Sequence, residues 1–415
     1  MRFGVFYELQ LPQPWGEGDE HRLFNEALDQ IVLADRLGID YAWAVEHHFL
    51  DEYSHCSAPE VFLAAAAART QNIRVGHVIR QVIPNYNHPA RTAEALGSLD
   101  LVSNGRVDFG IGEGATRLEL RGFGISAKEK RARSLEAAEQ IANMMVMTPY
   151  PGYQSDNFSM PCRNVIPKPL QKPHPPMWMA CTNRDTIKVA ASLGLGALAF
   201  SFVDPDEART WSSLYYDIIK SDQCTPLGHA VNANIAMVSA FSLHADRAEA
   251  IRRGQEGFEF FAYALRSLVT SDTVPGRTDL WGEFQAKRAQ RNAEAIDDGV
   301  ALGDAAAPGI GTPAEFLDHA MSFQDAGVDH IILLQQAGRN THTEICEALE
   351  LFAAEVQPAF KATVDERERA KAEELAPYIA AALARKTVMK SLADDEIPVV
   401  GKSVDKVRIN QGEAA

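Results

Sequence analysis

Short apolar runs alternate with stretches of helical periodicity along most of this chain, and that alternation is what most constrains its fold. The runs over 3–6, 41–45, 73–79, 107–112, 177–180, 197–202, 231–241 and 330–334 read as strands, since each is brief, largely apolar and close to turn-forming residues. Between them, 20–37, 59–69, 90–102, 128–146, 183–193, 205–221 and 313–325 read as helices. The first carries Leu23, Ala27, Ile31, Ala34 and Leu37 on one face and stops at Gly38, a C-terminal signal. Strands that alternate with helices pair in parallel through right-handed crossovers. Eight such units predict an α/β fold, a closed (β/α)8 TIM barrel over 1–360, with an open doubly wound sheet as the alternative.

Two segments break the alternation. Residues 245–310 form a long insertion between strands 7 and 8, with Phe258, Phe260, Phe261, Tyr263 and Trp281. It leaves the C-terminal rim of strand 7, so it reads as a lid over the mouth or as a helical subunit contact. Residues 361–415 read as a C-terminal helical arm or tail that begins with a charged helix.

Composition narrows the partners. A formal net charge of −16 repels nucleic acid and anionic lipid, so neither is expected. No apolar stretch reaches the ~18 residues of a membrane helix, and the start, MRFGVFYELQ, does not read as a signal peptide. Cys56, Cys162, Cys181, Cys224 and Cys346 are scattered and odd in number. That favours neither disulfides nor a zinc site and suits the cytoplasm.

In barrels of this kind the residues at the C-terminal ends of the strands build the site. Here those ends are Tyr7-Glu8, Glu46-His47-His48, Arg80-Gln81, Gly112-Glu113-Gly114, Cys181-Thr182-Asn183-Arg184 and Ser201. A histidine exchanges protons near neutral pH, which makes His47 and His48 candidates for acid–base work. Adjacent side chains on an extended segment point apart, so the two chelate one ion poorly and no metal site is expected. Thr182, Asn183 and Arg184 directly precede a helix, where backbone N–H groups and a cation can hold a phosphate. Arg80, with Gln81 and Ser201, could hold a substrate anion, or Arg80 could form a rim ion pair with Glu46 or Glu113. His77 reads as a packed core residue and His88 as structural.

These residues also carry a resemblance. The segment 73–114, IRVGHVIRQVIPNYNHPARTAEALGSLDLVSNGRVDFGIGEG, resembles the luciferase-like flavin-dependent monooxygenases. So do Glu46-His47-His48-Phe49, the loop Met179 to Asp185, and Ile310-Gly311-Thr312-Pro313 with Ala326 to His330. The resemblance covers roughly 1–360, in order. It implies a two-component monooxygenase in which a separate flavin reductase supplies reduced FMN. The flavin reacts with O2 at its C4a position and passes one oxygen atom to a small organic substrate. It further implies His47 as the catalytic histidine with His48 in support. Gly112, Glu113, Arg133, Cys181, Thr182, Asn183 and Arg184 would lie at the cofactor, with Arg133 on its phosphate or else in a surface pair with Glu129 or Glu136. A homodimer is implied as well. Gly112 and Glu113 depart from luciferase itself, which has a cysteine and an arginine there. The alternatives are a deazaflavin-dependent dehydrogenase or reductase of the same superfamily, a non-catalytic flavin-binding protein, and a metal-dependent barrel hydrolase.

Overall fold

The computed structural model of the protein describes residues 1–297 and 306–401. The part of the insertion at 298–305 and the end of the tail at 402–415 lie outside the described residues. The barrel strands are β1 (Arg2–Tyr7), β2 (Tyr41–Ala44), β3 (Arg74–Gln81), β4 (Val107–Gly112), β5 (Met177–Cys181), β6 (Gly196–Ala199), β7 (Ile235–Ala240) and β8 (His330–Leu334). They close in chain order into one barrel, with every neighbouring pair parallel. The seam joins Phe3 to Ile331 and Val5 to Leu333. The expected TIM barrel is therefore the fold.

The strands form where they do because each is covered on both faces, which demands unbroken apolar sequence. β1, β2, β4 and β7 are buried almost throughout. Inside the barrel, Trp43 meets Trp178 edge to face at 5.7 Å. The close fit explains a glycine in β3: a Cβ on Gly76 would stand 2.2 Å from the Trp43 ring.

Helices α1 (Asp19–Leu37), α2 (Pro59–Arg69), α3 (Pro89–Val102), α4 (Arg117–Gly122), α5 (Lys130–Val146), α6 (Arg184–Ser192) and α7 (Pro205–Ile219) lie in the first six units. The expected helices appear within a few residues of their sequence bounds. Within these six units two elements were not expected. One is the short α4; the other is an antiparallel hairpin, Tyr150–Gln154 with Ser159–Arg163, inside the Pro-rich loop before β5.

The insertion contributes α8 (Arg247–Thr270) and α9 (Leu280–Asp297). It leaves and re-enters the barrel side by side, as Ser242–Leu243 pairs in parallel with Ile310–Gly311. Phe261 packs against Tyr53 at 5.6 Å, and Phe258 against Phe202 at 4.8 Å. Glu52 accepts from the amides of Leu280 and Trp281 and so fastens the start of α9 to the loop after β2. α8 therefore stands over the rim at the C-terminal ends of the strands.

The chain closes with α10 (Pro313–Asp325), α11 (His342–Glu355), α12 (Gln357–Lys361) and α13 (Val364–Arg385). α13, the described helix of the tail, packs against the opposite, N-terminal end of the barrel. There Glu368 pairs with Arg2 at 2.6 Å, and Lys371 with Asp329 at 2.7 Å. Leu375 and Ala382 are buried on its inner face. No helix among the described residues is long and apolar enough to cross a membrane.

Candidate active site

A cleft opens at the C-terminal mouth of the barrel. Its apolar wall includes Val45, Ile79, Ile111, Met179 and Phe200, and Leu265 of α8 reaches it from above. Its polar lining falls into two groups, one around His47 and one around Glu113.

His47 follows β2 and faces the cleft. Its Nδ1 lies 2.9 Å from Glu119 Oε1, and its Nε2 is 3.8 Å from Glu8 Oε2. Glu119 is fully buried and is placed by α4. Thr116 caps that helix by accepting from the Glu119 amide, and its hydroxyl donates to Glu119 Oε2 at 2.8 Å. The His48 amide donates to Glu119 Oε1 at 3.1 Å. With Nδ1 facing a carboxylate, the Nδ1 proton is fixed and Nε2 is the nitrogen left toward Glu8. Burial works against a charged imidazole, but Glu8, Glu119 and Glu46 outweigh it and hold His47 up at about 9. Burial also pushes the Glu8 carboxyl up to about 7, although His47 and the Tyr53 hydroxyl oppose this. Burial acts the same way on Glu119, yet His47 and its hydrogen bonds hold it below the usual carboxylate range.

His48 turns the other way, as neighbouring side chains on extended backbone do. Its Nε2 meets Glu46 Oε1 at 3.1 Å and its ring stacks on Tyr86. Glu46 also accepts from the Gln81 amide and from Asn87. Thus His48 and Glu46 buttress the segment behind His47.

The second group is cationic. Arg131, at the start of α5, grips Glu113 with Nε at 2.9 Å and Nη2 at 3.1 Å. Lys130 Nζ lies 3.2 Å from Glu113 and donates to the Gly114 carbonyl at 2.6 Å. Ser134, Thr182 and Thr186 bring hydroxyls to the same cleft. Gly112 leaves no room for a side chain: a Cβ there would stand 1.9 Å from Ile79 Cδ1.

The cleft thus brings together Glu8, His47, Gln81, Gly112, Glu113, Gly114 and Thr182 of the rim residues named in the sequence. Others sit elsewhere. Arg133 turns away to Asn85 Oδ1 at 2.5 Å. Arg184 is exposed and forks onto Glu207, with Nε at 2.7 Å. Arg80 is buried in an ion pair at 2.7 Å with Glu60, not with Glu46 or Glu113. Asn183 caps α6. Cys181 is buried, donates to the Thr186 carbonyl, and is pushed by burial up to about 12. The Ser201 hydroxyl donates to the Thr182 carbonyl at 2.9 Å and holds that loop. His88 caps α3. Residues of the cleft that the strand ends did not mark include Tyr53, Lys130, Arg131 and Leu265, together with Glu119 behind His47. The Thr-x-x-Glu spacing of Thr116 and Glu119 is a helix-start signal that could have marked the last. Among the described residues no group of His, Cys, Asp and Glu is placed to hold a metal ion.

The profile of the luciferase-like monooxygenases matches residues 1–330. A Sinorhizobium fredii protein described only as uncharacterized protein y4wF is 31% identical, over 47% of this chain and 54% of its own length. The oxygenase component of flavin-dependent trigonelline monooxygenase from Acinetobacter baylyi is 28% identical, over 47% of this chain and 52% of its own. These matches span about half of each relative. The alkanal monooxygenase alpha chain of Photorhabdus laumondii is 24% identical, over 87% of this chain and 98% of its own. Among solved structures, monooxygenase RslO1 from Streptomyces bottropensis superposes with a TM-score of 0.69 at 27% identity, covering 87% of this chain and all of that one. The fold is shared as well by the oxygenating constituent of 3,6-diketocamphane monooxygenase from Pseudomonas putida in complex with FMN (TM-score 0.65, 18% identity, 86% of this chain and 98% of that one). It is shared too by the F420-dependent tetrahydromethanopterin reductase of Methanopyrus kandleri (TM-score 0.60, 20% identity, 86% and 99%).

Proposed function

We propose that this chain, which belongs to the luciferase-like monooxygenase family, is the oxygenase of a two-component system that uses reduced FMN and O2 to oxygenate a small organic substrate. The observation that carries the reading is the cleft itself, where a carboxylate-held His47 shares one chamber with the cations of α5. The relatives support it, since they include an alkanal monooxygenase and the oxygenase component of a flavin-dependent system.

The residues fit the cofactor. Lys130, Arg131, Ser134 and Thr182 form a donor set suited to a phosphate, with the guanidinium fork of Arg131 matched to two of its oxygens. The start of α5 adds the positive end of a helix dipole. The apolar wall suits a flat aromatic ring. Bound reduced flavin would supply the electrons that activate O2 and the transfer of one oxygen atom.

The protein's own part is then threefold. Arg131 and Lys130 hold the phosphate and fix the depth of the ring. The apolar wall, with Leu265 above it, keeps water from the reacting centre. His47 gives or takes a proton at Nε2 while Glu119 holds its Nδ1 proton and its orientation.

Stopped-flow absorbance tests the proposal. Protein in excess is mixed with photoreduced FMN and then with oxygenated buffer. The expected result is a phase that matches neither oxidised nor reduced flavin and outlasts its counterpart without protein. Reoxidation at the free-flavin rate, with reduction of a deazaflavin by an alcohol substrate, would move the assignment to hydride transfer.

A further inference from the structure

We infer that Glu8, at the C-terminal end of β1, works with His47 as one proton-sharing couple and is a positioning residue of the reaction. The inference rests on the reading of His47 as the group that exchanges a proton in the cleft.

Glu8 is 2% exposed yet lines the cleft. Its two carboxyl oxygens are used unequally. Oε1 accepts from the Tyr53 hydroxyl at 2.9 Å. Oε2 has no hydrogen-bond partner among the described residues and faces His47 Nε2 at 3.8 Å. A buried carboxylate oxygen without a donor is costly, and the group responds by taking a proton or by approaching one. Because Tyr53 occupies Oε1 as a donor, a proton on Glu8 sits on Oε2, on the side of His47. The backbone is held as well, since the Ser54 hydroxyl donates to the Glu8 carbonyl at 2.7 Å.

The groups around His47 decide how many protons the cluster keeps. Glu8 faces it from β1, Glu119 from α4, and Glu46 and Tyr53 from the segment after β2. At the end of β3 the cleft is lined by the uncharged Gln81. An imidazolium between the carboxylates of Glu8 and Glu119 leaves one negative charge buried. One further proton on Glu8 makes the trio neutral. The directions agree: Glu8 is raised and His47 is raised.

Proton transfer through the couple balances simply. The Nε2–H bond of His47 breaks as the acceptor in the cleft gains the proton. The Glu8 O–H bond then breaks and Nε2–H re-forms, which leaves a Glu8 carboxylate. Hydronium from solvent at the cleft mouth restores the proton on Glu8.

The test needs neither flavin nor substrate, so its failure is distinct from failure of the oxygenase reading. The full chain, labelled with 13C,15N-histidine, is titrated by NMR, with His47→Asn used to assign the signal. Glu8→Gln keeps the shape and removes the charge. The expected result is a fall of about one unit or more in the His47 midpoint, which is tenfold or more in proton affinity, in a protein that still unfolds in one cooperative step. Glu8→Asp should restore part of the shift. An unmoved midpoint in a folded Glu8→Gln protein would overturn the inference. Infrared titration of the unaltered protein gives a second readout that does not depend on the variant folding. A protonated-carboxyl band that is lost near neutral pH, and that shifts upward in Tyr53→Phe, is expected. Absence of any such band between about pH 5 and 8 would also overturn it.

Discussion

Glu113 turns the phosphate assignment into a sign that can be measured. Its carboxylate holds Arg131 through two hydrogen bonds and stands 3.2 Å from Lys130, so it occupies the cations that a phosphate would need. An arriving anion must either displace it or lie beside it. Glu113→Gln keeps the size and removes the charge. Two charges about 5 Å apart interact by about 1.7–3.3 kcal/mol at effective dielectrics of 40 and 20. Glu113 can swing away and solvent reaches its partners, so roughly half should survive. The variant is therefore expected to bind FMN about 1–2 kcal/mol more tightly, roughly 5- to 30-fold. Fluorescence titration with FMN, and in parallel with riboflavin, which lacks the phosphate, measures the effect. The gain should be confined to FMN and should shrink as salt is raised. Equal or weaker FMN binding, or equal tightening of riboflavin, would refute the placement of the phosphate at Arg131 and Lys130.

Further outcomes follow from the same geometry. Arg131→Ala should weaken FMN by about 1.5–3 kcal/mol, the range for a charge-assisted hydrogen bond, whereas Arg133→Ala should leave it unchanged; the same titration separates the two. His47→Ala should cut product formation by roughly 10²–10⁴ with FMN affinity within a few fold, as loss of an acid–base group does, and undiminished turnover would remove His47 from the mechanism. His47 is raised to about 9 in the folded state, so its contribution to stability is complete below about 6.5 and is lost as pH rises through about 9. The urea midpoint should therefore fall across that window, less steeply in His47→Asn, and identical slopes would count against a raised His47. Leu375→Ala on α13 removes a side chain that is 2% exposed and should cost about 2–4 kcal/mol in urea unfolding; a negligible loss would mean that the tail helix does not brace the barrel.

The barrel was legible because its strands are covered on both faces and so read as unbroken apolar runs, while the intervening helices keep one apolar stripe. The hairpin before β5 was hidden, since Gly152 and Pro161 interrupt its alternation. α4 has six residues, too few to show a period. The site was legible to the extent that it lies at strand ends, as Glu8, His47, Gln81, Gly112, Glu113, Gly114 and Thr182 do. Tyr53, Lys130, Arg131 and Leu265 reach the cleft from loops and helices, and Glu119 stands behind His47 on α4, so no strand run points to them. The two arginines of α5 show how small the margin is. Positions 131 and 133 differ by two residues, about 200° around a helix, so one faces the cleft and the other Asn85. Arg80 and Arg184 stand at rim positions that suit a ligand, yet each is already matched by a carboxylate, Glu60 or Glu207, some twenty residues away. A cation at a strand end becomes a binding group only if its counter-charge can leave. That is why Arg131, whose partner Glu113 lines the same cleft, is the arginine to test, and why Arg80, sealed against Glu60, is not.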